Sequence, residues 1–262
     1  MAQRSSDGDG RRSRPLPLDD RAVAAVVGGA SRPAADRLTG SGADEVIDPR
    51  FWDRALNADG GAGADTIAGT AFSDQLTGGT GADDLAGKDG HDVIWGDNSS
   101  GTQPGGADSI YGGHGEDTVF AGGGNDLVVG GDGNDMIFGD AGADTLVGST
   151  GVDRVYGGEG DDVFLWQPGE GADLLYAGEG MDTLRLEGTG LDLAALLGSI
   201  RHDATGTAAG PNPSIVTAPD GTSHIDLRGL TGVTVNVNGT ILTLDGFERL
   251  QVAAQPKSYY DR

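Results

Sequence analysis

The chain contains no cysteine, so no disulfide can staple it and no thiol chemistry is open to it. Basic residues are scarce, with 17 Lys and Arg against 41 Asp and Glu and a net charge of −24. Seven of the arginines fall within residues 1–37, where only five aspartates oppose them. The rest of the chain is therefore more acidic than the total implies, which makes nucleic acid and anionic membranes poor partners and divalent cations good ones. Long apolar runs are missing. Ala22–Val27 is too short for a secretory core or a membrane span, and Asp19, Asp20 and Arg21 separate it from Arg11 and Arg12. Motifs of catalysis are missing too: there is no His-Glu-x-x-His and no Gly-x-Ser-x-Gly, and His91, His114, His202 and His224 are scattered. No enzymatic activity is expected.

Glycine, by contrast, is abundant. Its 49 copies show no triplet spacing, which excludes a collagen helix. The spacing present is nine. From residue 60 the chain reads GGAGADTIA, GTAFSDQLT, GGTGADDLA, GKDGHDVIW, and later GGHGEDTVF, AGGGNDLVV, GGDGNDMIF, GDAGADTLV, GSTGVDRVY, GGEGDDVFL and AGEGMDTLR. Position six is aspartate in each unit: Asp65, Asp74, Asp83, Asp92, Asp108, Asp117, Asp126, Asp135, Asp144, Asp153, Asp162, Asp173 and Asp182. Position eight is always large and apolar, from Ile67, Leu76, Leu85 and Ile94 through to Leu175 and Leu184. Two steps break the period, sixteen residues from Asp92 to Asp108 and eleven from Asp162 to Asp173.

Glycine at positions one, two and four permits positive φ and close backbone approach. The last three positions suffice for a very short strand, in which position eight faces one way and positions seven and nine the other. With position eight inward, two units make one coil of a narrow parallel solenoid. Each aspartate then lies over the aspartate two units away, at roughly 4.8 Å. A column of carboxylates that close is repulsive unless a cation sits between them. Carboxylates with turn carbonyls are hard oxygen donors of flexible geometry, and those select calcium.

These units resemble the GGxGxDxUx nonapeptide of the hemolysin-type calcium-binding (RTX) repeat family. The resemblance covers about half the chain. It implies a calcium-bound parallel β-roll with multiple Ca2+ ions, the thirteen aspartates as metal ligands, and neighbouring turn carbonyls as co-ligands. Two turns depart from the pattern: Gly69–Asp74 lacks its second and third glycines, and Lys88 places a cation in the next turn of that edge. Those sites are expected to be weak. The resemblance also implies type I export without an N-terminal signal and an extracellular or cell-surface location, although the polar, aromatic tail 255–262 lacks the apolar end common in such signals.

Around the repeats the reading is all-β with small caps. Residues 1–37 read as a flexible basic arm, with a short helix expected over 19–27. Gly40–Ile47 looks like a worn first repeat with Asp44 and Val46 in the anchor places. Asp48 and Pro49 then predict a helix carrying Phe51, Trp52, Ala55 and Leu56, making 38–58 an N-terminal cap over the open end of a 59–186 roll. Beyond it, 187–262 is expected as a C-terminal β cap and tail. That segment includes a short helix over Leu191–Ile200, a hairpin turning at Asn238–Gly239, and a closing stretch Gly246–Leu250.

Position nine alternates between two outward faces. One face reads Thr77, Trp95, Phe120, Phe138, Tyr156, Tyr176, an aromatic ladder; the other reads Ala68, Ala86, Tyr111, Val129, Val147, Leu165, Arg185. The rings either stack for sheet stability alone, or form a face covered by the C-terminal segment or by another protein. The favoured function is a non-enzymatic calcium-binding structural or interaction protein that docks a protein partner through Trp95, Phe120, Phe138, Tyr156 and Tyr176. The alternative is a carbohydrate-binding repeat module similar to those of alginate epimerases. Only Lys88, Arg154 and Arg185 are cationic within 60–186, which weighs against a polyanionic sugar.

Overall fold

The thirteen position-eight side chains, Ile67 to Leu184, are 0–5% exposed and lie in one continuous core. A computed structural model of the chain describes residues 24–27, 37–40, 42–49, 53–98, 105–201, 213–217, 222–228, 230 and 232–253. Successive strands go to alternate sheets, one of twelve strands and one of eleven, and within the repeats every pairing is parallel. The register follows the repeat: Val119 pairs with Ile137 and Ile137 with Val155 on one sheet, while Ile110, Val128 and Leu146 align on the other. Position-eight residues thus meet across a thin interior, and backbone amides and carbonyls pair along the stack rather than facing water.

Both breaks in the period leave the register of the strands on either side of them intact. Asp97 pairs with Gly79 as a position-two residue, and Gly106 resumes at position four, packed so closely on the Gly81 carbonyl that an added Cβ would lie 1.5 Å from it. Asp97 is tied to the next coil, its Oδ2 accepting the Gly123 N–H at 2.6 Å. At the second break Trp166 takes the place of a position-one glycine, points into the core at 1% exposure, and donates its indole N–H to the Gly171 carbonyl at 3.2 Å. Position four shows why glycine recurs. Gly133 has φ +142°, and a Cβ there would lie 1.7 Å from the Gly115 carbonyl oxygen.

The N-terminal helices do not appear where the sequence predicts them. Ala24–Val27 is a strand, paired in parallel with Glu45–Asp48. Val26 and Val27 favour extended backbone, and the open edge of the first coil offers unpaired donors and acceptors that a helix would leave unmet. Residues 38–58 likewise continue the roll rather than form a helical cap: Leu38 pairs with Ala58, Ala58 with Leu76, and Ile47 with Ile67. The middle of the expected helix, 50–52, lies outside the described residues. The worn repeat is also displaced by one residue. Ile47 is buried at 1% whereas Val46 is 37% exposed, so Glu45 and Ile47, not Asp44 and Val46, hold the anchor places.

After residue 187 both sheets continue. Thr240–Asp245 adds in parallel to Leu174–Glu179 with Leu175 opposite Leu244, and Arg249–Ala253 adds to Thr183–Glu187 with Leu184 opposite Leu250. The next strands outward are antiparallel: Val233–Val237 and Ile200–Arg201 on one sheet, Ser223–Asp226 and Ser214–Thr217 on the other. The hairpin turns at Asn238 (φ 52°) and Gly239 (φ 98°), both left-handed as a two-residue turn demands. The helix is Leu193–Ser199, capped by Asp192 through the Ala195 N–H at 2.7 Å. Phe247 meets Phe164 edge-on, with ring centroids 4.7 Å apart. The 202–212 loop and the 254–262 tail lie outside the described residues.

Candidate metal centres

All thirteen position-six aspartates are buried, at 0–3% exposure, and the coil arranges them in two columns along opposite edges. One column holds Asp65, Asp83, Asp108, Asp126, Asp144, Asp162 and Asp182; the other holds Asp74, Asp92, Asp117, Asp135, Asp153 and Asp173. A short side chain at the end of the turn brings Oδ1 onto the backbone of the preceding coil. Thus Asp117 donates its N–H to Asp135 Oδ1 at 2.8 Å, and Asp135 donates to Asp153 Oδ1 at 2.8 Å. The same bond recurs from Asp65 to Asp182 at 2.7–2.9 Å.

Each Oδ1 is therefore satisfied, and the second oxygen is not. Oδ2 has no hydrogen-bond donor in eleven of the thirteen, all but Asp74 and Asp173. Orphaned buried carboxylate oxygens repeated at eleven rungs are costly unless something cationic meets them. The space beside them is lined by oxygen and kept open by glycine: a Cβ on Gly130 would lie 2.4 Å from Asp135 Oδ2 and 2.7 Å from the Gly148 carbonyl oxygen. Gly78 faces Asp83 Oδ2 and the Gly96 carbonyl in the same way, and Gly139 faces Asp144 Oδ2 and the Gly157 carbonyl. Among the described residues no three acidic or histidine side chains converge on one point. The donors at each seat are instead a carboxylate and backbone carbonyls. That donor set suits a hard cation held at 2.3–2.6 Å by oxygen, which is calcium, and suits softer metals poorly.

Titration reflects the same crowding. Burial pushes Asp108 and Asp153 up to about 8, with neighbouring carboxylates adding to the rise and the donated amide opposing it. Asp92, Asp135 and Asp144 rise to about 7, and Asp65, Asp83, Asp126, Asp162 and Asp173 to about 6, with burial again the leading cause. Asp117 and Asp182 are also raised.

The columns end differently. In the first, Glu45 donates its N–H to Asp65 Oδ1 at 2.7 Å, and Glu248 Oε2 accepts the Asp182 N–H at 2.8 Å, so glutamates occupy both terminal rungs. In the second, Leu56 precedes Asp74 and Leu242 follows Asp173, both buried. The two glutamates escape a search for aspartate. Their signal is the triplet of acid, any residue and aliphatic in Glu45-Val46-Ile47 and Glu248-Arg249-Leu250, where Ile47 and Leu250 are buried.

The expected aromatic ladder is formed. Trp95, Phe120, Phe138, Tyr156 and Tyr176 stack in order, with centroid separations of 6.0, 4.9, 4.9 and 4.7 Å and planes within 9°. All five rings are half-buried. On the opposite face Val129, Val147 and Leu165 are buried at 1–5% and pack with Tyr111, Leu127 and Val163 into a second cluster. His91 accepts the Glu116 N–H and His114 pairs with Asp132, both on the exposed rim.

Two sheets of parallel strands around a one-residue-wide core, with oxygen-lined seats in both edges, define a calcium-type β-roll. The RTX calcium-binding nonapeptide repeat matches in four copies, over residues 59–98, 105–128, 129–164 and 169–188, so the roll is built from RTX repeats. No curated protein matches the chain.

Proposed function

We propose that this chain is a non-enzymatic, calcium-binding structural protein whose roll folds as calcium loads the two carboxylate columns. The ligands would be Asp65, Asp83, Asp92, Asp108, Asp117, Asp126, Asp135, Asp144, Asp153, Asp162, Asp173 and Asp182, with Glu45 and Glu248 serving the ends of the first column. The observation that carries this reading is the row of buried Oδ2 atoms that lack any donor and face glycine-opened carbonyl seats. Calcium binding to the repeats is the family's property; the dependence of folding on it follows from charge. Each site saturated tenfold over its dissociation constant adds about 1.4 kcal/mol, so ten such sites rival the whole stability of an ordinary domain. Circular dichroism in calcium and in excess chelator at neutral pH tests this. Strand signal should be lost cooperatively in chelator, and an unchanged spectrum overturns the proposal.

We infer further that residues 187–262 close the C-terminal end, since antiparallel strands follow the last parallel pair on both sheets. The aromatic face is read as a docking surface for a protein partner; five stacked, half-buried rings offer a rigid apolar strip of the kind that anchors interfaces. A polyanionic sugar would meet few cations there. Lys88 Nζ is engaged by the Gly69 carbonyl and Arg185 by Glu187, which leaves Arg154 on the ladder sheet. RTX repeat proteins are typically secreted or extracellular, and a fold held by weak calcium sites suits a calcium-rich exterior.

A further inference from the structure

The turn Gly69–Asp74 breaks the repeat in a consistent way. Where eleven of the other rungs leave a carboxylate oxygen open, both oxygens of Asp74 are taken by the protein. Oδ1 accepts the Leu56 N–H at 2.5 Å and the Thr70 hydroxyl at 2.9 Å, and Oδ2 accepts the Thr70 N–H at 2.5 Å. Thr70 is itself buried at 6%. The position-one carbonyl of this turn, at Gly69, accepts the Lys88 ammonium at 2.7 Å. Lys88 reaches it from the next turn of the same edge, and it does so from a left-handed backbone, φ 84°, that glycine holds at most equivalent positions. The preceding rung contributes Leu56 where a carboxylate would stand. Position four is Phe72 and lacks the positive φ found at Gly90 one coil on.

Two oxygen functions of this turn are therefore met without a metal. A hydroxyl and an amide serve the Asp74 carboxylate and an ammonium serves the Gly69 carbonyl, while the rung before it offers the apolar Leu56 in place of a carboxylate. We propose that the Gly69–Asp74 turn is a metal-independent rung in which Thr70 and Lys88 stand in for calcium, so that calcium loading of this column begins at Asp92. This deepens, and rests on, the calcium reading of the other rungs. A rung complete without metal gives the edge a formed turn on which calcium-dependent coils can stack, which lowers the cost of nucleating the first one.

The test is a count of calcium ions per chain by native mass spectrometry of the calcium-dialysed full chain. Thr70→Gly with Phe72→Gly restores glycine at positions two and four and frees Asp74 Oδ2. This variant should hold one ion more than the wild type. Asp74→Asn should leave the wild-type count unchanged, and Asp135→Asn should lower it. An unchanged count in a folded glycine variant overturns the inference, as does loss of an ion in Asp74→Asn; the latter reading stands even where the glycine variant fails to fold. A wild-type chain holding no calcium overturns the calcium reading itself, and this inference with it.

Discussion

Replacing Asp135 by asparagine should change stability in opposite directions with and without calcium. The substitution keeps the shape and the Oδ1 acceptor that binds the Asp117 N–H, and removes only the charge. In chelator, the buried carboxyl is raised from 3.8 to about 7, chiefly by burial. A group with a raised folded-state pKa favours the fold fully only below its unfolded pKa, and that contribution is gone once the pH passes the folded value. Above pH 7 the metal-free roll therefore bears a penalty of roughly 4 kcal/mol at this residue, at about 1.4 kcal/mol per unit. Asparagine avoids that and incurs instead about 1–3 kcal/mol for a buried amide end lacking a partner. The metal-free fold should gain on the order of 1–3 kcal/mol. With free calcium at about a thousand times the dissociation constant the sign reverses, because the seat formed with Gly148 then adds about 4 kcal/mol to the wild type and nothing to the variant, more than the metal-free gain. Asp74→Asn is the control: it disturbs the Thr70 bonds and should lose about 1 kcal/mol in both conditions. Urea melts in calcium, and osmolyte-induced folding followed by circular dichroism in chelator, both at pH 8, measure all four numbers. Destabilisation of Asp135→Asn by the same amount in both would refute the view that its second oxygen awaits a cation.

Gly130→Ala should abolish its seat at any calcium concentration, since the new Cβ falls 2.4 Å from Asp135 Oδ2; an unchanged ion count would contradict the assignment. In chelator, acidification from pH 8 towards 4 should restore strand signal as the raised carboxyls protonate, whereas in limiting calcium the same change should raise the calcium midpoint, because protons and metal compete for the same oxygens. Phe120→Thr with Phe138→Thr should leave the calcium midpoint within ~1 kcal/mol while weakening partner association, each ring contributing on the order of 2 kcal/mol. Sedimentation and protease resistance of 187–262 distinguish loss of association from loss of an internal contact. Glu248→Ala should expose Arg249–Ala253 to faster hydrogen exchange than the central coils, because the Asp182 N–H loses its acceptor.

The repeat made most of this architecture legible. A period of nine with an even number of units per coil dictates two sheets, and the parity of position nine placed five aromatic rings in one stack before any coordinates. Legibility failed where tertiary context outweighs local signals. Asp48-Pro49 is a sound helix start, yet the open edge of the first coil recruits Ala58, Ile47 and even Ala24–Val27 into strands. Asp44 beside Glu45 invited a slip of one, which counting from Gly40 as position one corrects: a Cβ there would lie 2.7 Å from Glu45 Oε2, as Gly130 faces Asp135. The burial of Val129, Val147 and Leu165 on an outward face follows from no repeat rule. Nor did spacing alone show that Asp97 is tied to the next coil, because its partner is an amide 26 residues away.

Anomalous diffraction at long wavelength from crystals grown in calcium tests the central claim most directly. The account predicts peaks within oxygen-ligand distance of Asp135 Oδ2 and the Gly148 carbonyl, repeated along both edges, with none beside Asp74. Crystals of the folded roll with no peak at those seats would contradict it.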